Sequence, residues 1–190
     1  MFGIAFHPVT GRAYATENGP SDNDEVNLLS PGGNYGWPNV RGIANTPAYT
    51  DPIIAYTPVI VPTNAAFYTA AVPAQSQNHL VFGSFNDRRL RELTLNPADG
   101  ASVVNETILA TAPESIADVE MGRDGLLWVT TPSGIYRLIP APVPTYVSPA
   151  MLGALFASAL VGLAQTRPQA DALPEPSSAH RRNRGPPRKP

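Results

Sequence analysis

Short apolar strands, each cut off by a tight turn and returning in the same arrangement along the chain, constrain this sequence more than any other feature. Gly3-Ile4-Ala5-Phe6 stops at His7-Pro8, and Thr10-Gly11 turns the chain into Arg12-Ala13-Tyr14-Ala15-Thr16. Asp118-Val119-Glu120-Met121, Asp124-Gly125 and Leu126-Leu127-Trp128-Val129-Thr130 repeat that arrangement. A less regular copy runs through residues 65–68 and 79–84, with residues 89–95 alternating behind it. Val81 and Trp128 hold matching places about 47 residues apart, the spacing of successive propeller blades. No sustained 3.6-residue apolar period precedes residue 145, which argues against a helical or α/β domain. The expected fold is therefore all-β, a partial β-propeller over residues 1–140. A blade takes about 40–50 residues, so this length makes about three blades. Ring closure needs about four to eight. The missing blades are expected either from a longer version of the chain or from a partner protein, since uncovered blade edges invite aggregation. Met1-Phe2-Gly3 has neither a basic region nor an apolar run and does not read as an export signal.

The formal charge of -2 conceals an asymmetry: residues 1–164 hold 7 basic and 13 acidic side chains, whereas residues 165–190 hold 6 and 2. A mildly acidic body is a poor phosphate surface, and no nucleic-acid partner is expected. The absence of cysteine excludes disulfides, thiolate metal sites and thiol nucleophiles.

Chemistry concentrates in residues 15–39, ATENGPSDNDEVNLLSPGGNYGWPN. Asn18-Gly19-Pro20 and Pro31-Gly32-Gly33-Asn34 read as turns on either side of a strand at Val26-Asn27-Leu28-Leu29. Turn carbonyls and the carboxylates of Asp22, Asp24 and Glu25 thus fall within one strand-loop-strand unit, a donor set suited to a hard cation such as calcium. The spacing is not that of the helix-loop-helix calcium motif, because Leu28 and Leu29 stand near the place of its sharp-turn glycine. Acids beside glycines also serve turns through local hydrogen bonds alone, and on spacing that alternative stays open.

The stretch GRAYATENGPSDNDEVNLLSPGGNYGWPN resembles the signature of the soluble glucose and sorbosone dehydrogenase family, aldose-sugar dehydrogenases that use pyrroloquinoline quinone on a six-bladed propeller. The resemblance continues through PIIAYTPVIVPTNAAFY, HLVFGSFNDRRLRELTL and DVEMGRDGLLWVTTPSGIYRLIP, and covers roughly residues 3–140. It implies that this chain is the C-terminal part of such an oxidoreductase, acting on the CH–OH group of aldose sugars or related cyclic alcohols. It also implies a cofactor side formed by Asn18, Gly19, Pro20 and Asp24, with the Gly19 and Pro20 carbonyls on the calcium that clamps the quinone. A second calcium is implied at Glu25 and the Tyr35 carbonyl. The family's basic catalytic residue is a histidine of an earlier blade, and His7, His79 and His180 do not match it. This chain alone is accordingly expected to be inactive, and a non-catalytic calcium-binding propeller fragment or interaction module is the alternative. A calcium-stabilised hydrolase of the lactonase kind would need carboxylates from several blades.

Two departures bear on the quinone. Where the resemblance leads one to expect cations for its carboxylates, this chain has Asn86 and Asp87 in GSFND, and Ser115 and Ala117 in ESIAD. Arg88, Arg89 and Arg91 stand near; a solvated strand face is their expected role, with substitution for the missing cations as the alternative. Phe67, Tyr68, Phe82 and Phe85 are expected in the core.

Beyond residue 140 the character changes. Residues 141–149 form a proline-rich spacer, residues 150–164 an apolar run expected to be a helix, and residues 165–190 a basic tail expected to be disordered. As a helix the apolar run would reach about 22 Å, short of the roughly 30 Å hydrocarbon core. Its flanking arginines nevertheless fit a membrane anchor with the body on the periplasmic or extracellular face, with a soluble helix packed on the body as the alternative.

Overall fold

The computed structural model describes residues 1–71 and 74–139, and the backbone of residues 162–165. The first sheet joins β1 (Gly3–Phe6), β2 (Ala13–Glu17), β3 (Asp24–Leu28) and β4 (Ile54–Tyr56) in sequence order. The second joins β5 (Pro62–Phe67), β6 (Leu80–Ser84), β7 (Arg89–Leu95) and β8 (Val103–Thr111). The third joins β9 (Asp118–Met121), β10 (Leu127–Thr130), β11 (Ile135–Ile139) and β12 (Gly162–Gln165). All neighbours pair antiparallel. Of the first strands, β5 packs between β1 and β9, which is the stacking of propeller blades around an axis.

Period-2 alternation builds two cores from one central sheet. Ala65, Phe67, Leu80, Phe82 and Leu93 pack against Ala5, Tyr14 and Val26 of the first sheet and Ile60 of the connection between the two sheets. Ala66, Tyr68, Val81 and Leu90 point the other way, to Ile116, Val119, Leu127 and Val129. Leu80, Val81 and Phe82 are consequently all buried, each side chain contributing about 1.5–3 kcal/mol. β1 is covered on one face only: Ala5 is buried while Phe2, Ile4 and Phe6 are exposed. Phe67, Tyr68 and Phe82 lie in the core as expected, but Phe85 is exposed.

Two strands are not expected from the sequence. β8 has no apolar alternation, because as an edge strand it exposes Val104, Asn105, Thr107 and Ile108. Gly162-Leu163-Ala164, placed at the end of the expected helix, are extended and pair with β11, so the fourth strand of the third sheet comes from beyond residue 140. The spacer 141–149, the rest of the apolar run and the basic tail 166–190 lie outside the described residues. Among the described residues no helix is long and apolar enough to cross a membrane.

Candidate functional site

The loop at residues 18–23 joins β2 to β3, and a carboxylate inside the protein sets its shape. Asp24 is fully buried, and its Oδ1 accepts the Gly19 N–H at 2.8 Å. Its Oδ2 accepts the Ile60 and Val61 N–H groups at 2.6 and 2.7 Å. One side chain thereby ties the loop of the first sheet to the entry of the second. Close approach demands glycine at position 19, since a Cβ there would lie 1.9 Å from the Asp22 carbonyl oxygen. Asp22 pairs with Arg41 at 3.1 Å.

Glu25 and Asn27 share a face of β3, and both are buried. Glu25 accepts the Gly42 N–H at 2.5 Å and the Asn27 amide at 3.0 Å. Gly42 reaches it with φ +71, and a Cβ would meet Asn23 Oδ1 at 2.7 Å. Asn27 Oδ1 is buried with no hydrogen-bond partner. The Tyr35 hydroxyl donates to the Leu28 carbonyl at 3.0 Å and accepts the Ser30 N–H at 2.7 Å, fastening the turn of residues 30–35 to the end of β3. Among the described residues, the carbonyls of Gly19, Pro20 and Tyr35 accept no backbone hydrogen bond.

Asn18, Gly19, Glu25 and Tyr35 meet around one small cavity of about 10 Å³, the space of a single water or ion. Pro20 and Asp24 do not line it. Glu17, Trp37 and Arg41 do, and sequence reasoning missed them. Glu17 could have been found from the strand register, because it pairs directly with Glu25. Arg41 could not, because its place depends on a long connection between β3 and β4.

The donor chemistry fits a hard cation. A buried carboxylate, an orphaned amide oxygen beside it and uncommitted carbonyls are all oxygen donors of the kind calcium takes. Among the described residues no group of three acidic or histidine side chains converges on a metal, so carbonyls and water would complete a shell of about six to eight.

The anion-holding side does not fit in the same way. Asn86 donates to the Val59 carbonyl at 3.1 Å, and Arg88 to the Pro113 carbonyl at 3.2 Å. Arg89 stands 3.8 Å from Asp87. Arg91 departs from the expected solvated face: it is 6% exposed, pairs with Asp87 and, at 2.5 Å, with Glu106, and lies 5.4 Å from the centre of the Tyr56 ring. Burial works against the Asp87 carboxylate. The Ser84 hydroxyl, the Arg91 charge and the Arg89 N–H outweigh it and hold the carboxyl below its ordinary range. These arginines are committed to their own carbonyls and acids, and Ser115 and Ala117 add no charge.

Three stacked four-stranded sheets, with an oxygen-lined loop at one end of the first, define a partial β-propeller. Residues 1–139 match the Glucose / Sorbosone dehydrogenase family, and the chain belongs to that family. It is 31% identical over 143 residues to the aldose sugar dehydrogenase YliI of Escherichia coli K12, covering 68% of this chain and 38% of that protein. Over 47 residues it is 49% identical to quinoprotein glucose dehydrogenase B of Acinetobacter calcoaceticus, covering 25% and 10%. The crystal structure of an oxidoreductase described as a glucose dehydrogenase, from Thermus thermophilus, superposes with a TM-score of 0.60 at 36% identity, covering 68% of this chain and 37% of that one. The chain therefore spans less than half the length of these relatives.

Proposed function

We propose that this chain contributes late blades and the cation loop to a quinone-dependent oxidoreductase of aldose sugars or related cyclic alcohols, and does not turn over by itself. The observation that carries the proposal is the convergence of Asn18, Gly19, Glu25 and Tyr35 on one oxygen-lined cavity. In this reading the single-ion cavity takes the calcium of Glu25 and Tyr35, and the Gly19 and Pro20 carbonyls hold another calcium outside it, on the cofactor side, with Asn18 beside them. Asp24 keeps Gly19 in place through its Oδ1. Glu25 and the Tyr35 carbonyl hold the calcium in the cavity, and Asn27 Oδ1 is a further oxygen within the same fold of β3. Pyrroloquinoline quinone is the cofactor the family relationship supports, and when bound it supplies a hydride acceptor. The described residues do not form the cationic clamp that its carboxylates need, so no step of the reaction is assigned to this chain.

The expected compartment is the periplasmic or extracellular side, with membrane contact, if any, through residues 150–164. A non-catalytic calcium-binding module is the second reading, favoured by one observation. His7 and His79 both line a cavity at the other end of the sheets, away from the cation loop.

The test is reduction of an indophenol dye by glucose and other aldoses, using the full chain supplied with calcium and pyrroloquinoline quinone. No turnover is expected above calcium-free and Asp24→Ala controls, because rate depends on holding base, sugar and acceptor together. Turnover by a chain carrying the missing blades would establish the family activity. Calcium-dependent turnover by this chain alone would overturn the proposal of an incomplete site.

A further inference from the structure

A second cavity lies at the end of the sheets opposite the cation loop. It measures about 560 Å³, within the roughly 300–1,000 Å³ of small-molecule sites. The turn between β1 and β2 forms one wall, and the ends of β6 and β7 with the turn leading to β8 form the other. It is thus a cleft between two blades, built wholly from residues 7–100.

Its polar groups have defined roles. His7 Nδ1 accepts the Val9 and Thr10 N–H groups at 3.1 and 3.2 Å, so its neutral ring carries the proton on Nε2 and offers a donor. His79 Nδ1 faces the buried Glu92 carboxylate at 3.3 Å, which places its proton on Nδ1 and leaves Nε2 as an acceptor when neutral. Arg12 forms no ion pair among the described residues, in contrast to Arg41, Arg89 and Arg91. The Tyr14 hydroxyl lies at the same place beside Gly100 and donates to the Gly100 carbonyl at 2.9 Å. Gly100 makes room for both: a Cβ there would lie 2.6 Å from the Tyr14 oxygen and 3.1 Å from an Arg12 nitrogen. Asp99 also lines the cleft, anchored by the Ala101 N–H at 2.8 Å, and its remaining oxygen can accept hydroxyls. Asn78 and Asn96 add amides.

We infer that this inter-blade cleft binds a small hydroxylated anion, a carboxylate or phosphate held by Arg12 and His7 with its hydroxyls on Asp99 and His79. A bare anion would meet repulsion from Asp99, and a neutral polyol would leave the Arg12 charge unused. A molecule carrying both groups satisfies the whole lining. The inference is independent of the cation loop and of any turnover.

The test is calorimetric titration of the calcium-free full chain with D-gluconate, inorganic phosphate and, as the neutral control, D-glucose. Saturable gluconate binding is expected, tighter than glucose, and weakened about tenfold or more by Arg12→Gln, the effect of losing one charge-assisted contact. Glu25→Gln should leave it unchanged, which separates this site from the cation loop. Ala98→Phe, at an exposed lining position, should fill the cleft while leaving Arg12 in place, and guards against misfolding of the arginine variant. Phosphate binding as tight as gluconate, with the same Arg12 dependence, would identify the anion alone as the recognised group. Gluconate binding that is absent, no tighter than glucose, or indifferent to both Arg12→Gln and Ala98→Phe overturns the inference.

Discussion

Two acidic clusters of this chain look alike in the sequence and are satisfied in opposite ways. Asp24 and Glu25 at the start of β3 face backbone N–H groups and one amide, with no arginine on either. Asp87 and Glu106 face the Arg91 guanidinium, which bridges them between β7 and β8. Backbone dipoles stabilise a carboxylate without cancelling its charge, so the first cluster keeps its negative charge. A guanidinium neutralises its partners and leaves a cation nothing to gain. A carboxylate's partners, rather than its presence, decide whether it can be a metal ligand.

The largest effect should come from Asp24→Ala, which strands three backbone donors in a buried place. A loss of about 4 kcal/mol is expected from costs of about 1–3 kcal/mol per unsatisfied group, read as a lowered urea midpoint. A loss below about 1 kcal/mol would mean that the loop holds itself. Arg91→Met comes next. Breaking a buried pair costs about 3–5 kcal/mol, and partial solvent access at Asp87 and Glu106 reduces this to about 2–3 kcal/mol. Adding Asp87→Asn and Glu106→Gln to that variant should recover part of the loss; no recovery would show that packing on Tyr56, rather than charge, is what Arg91 supplies.

Calcium separates the clusters more finely. At about ten times its dissociation constant, calcium should stabilise the chain by roughly 1.4 kcal/mol, seen as a higher melting temperature after chelation and reloading. The increase should vanish in Glu25→Gln and persist in Arg91→Met. An equal increase in all three proteins would remove Glu25 from the cation site.

The smallest effect is with pH. Asp87 has a folded-state pKa below its ordinary value of 3.8, so the folded chain binds fewer protons there than the unfolded chain. Its contribution is fully present above that value and is lost as pH falls through the lowered folded-state pKa. Asp87→Asn should flatten this part of the acid-unfolding curve, and an unchanged curve would show that Ser84, Arg91 and the Arg89 N–H do not together hold the proton off.

Much of the fold was legible because strand and turn preferences are local. β1, β2, β9 and β10 follow directly from apolar runs stopped by His7-Pro8, Thr10-Gly11 and Asp124-Gly125. β8 was not legible, because an edge strand with solvent beside it needs no apolar alternation. At the candidate site, Gly19, Glu25 and Tyr35 stood out through the turn chemistry and the family signature. Asn27 carried no such signal: its unpartnered oxygen becomes visible only once β3 is buried.

By itself, the sequence determined the all-β character, the blade spacing and the glycine-rich loop, since each follows from side chains within a few residues of one another. Tertiary structure alone decided what the charged groups do. Asp24 finds Ile60 and Val61 36 and 37 residues away, and Arg91 is buried rather than solvated because β8 brings Glu106 alongside it. The cleft around Arg12 and His7 likewise exists only where two blades meet. Electrostatic partners are chosen by distance in space, and in a stack of sheets that distance is set by chain segments far apart in sequence.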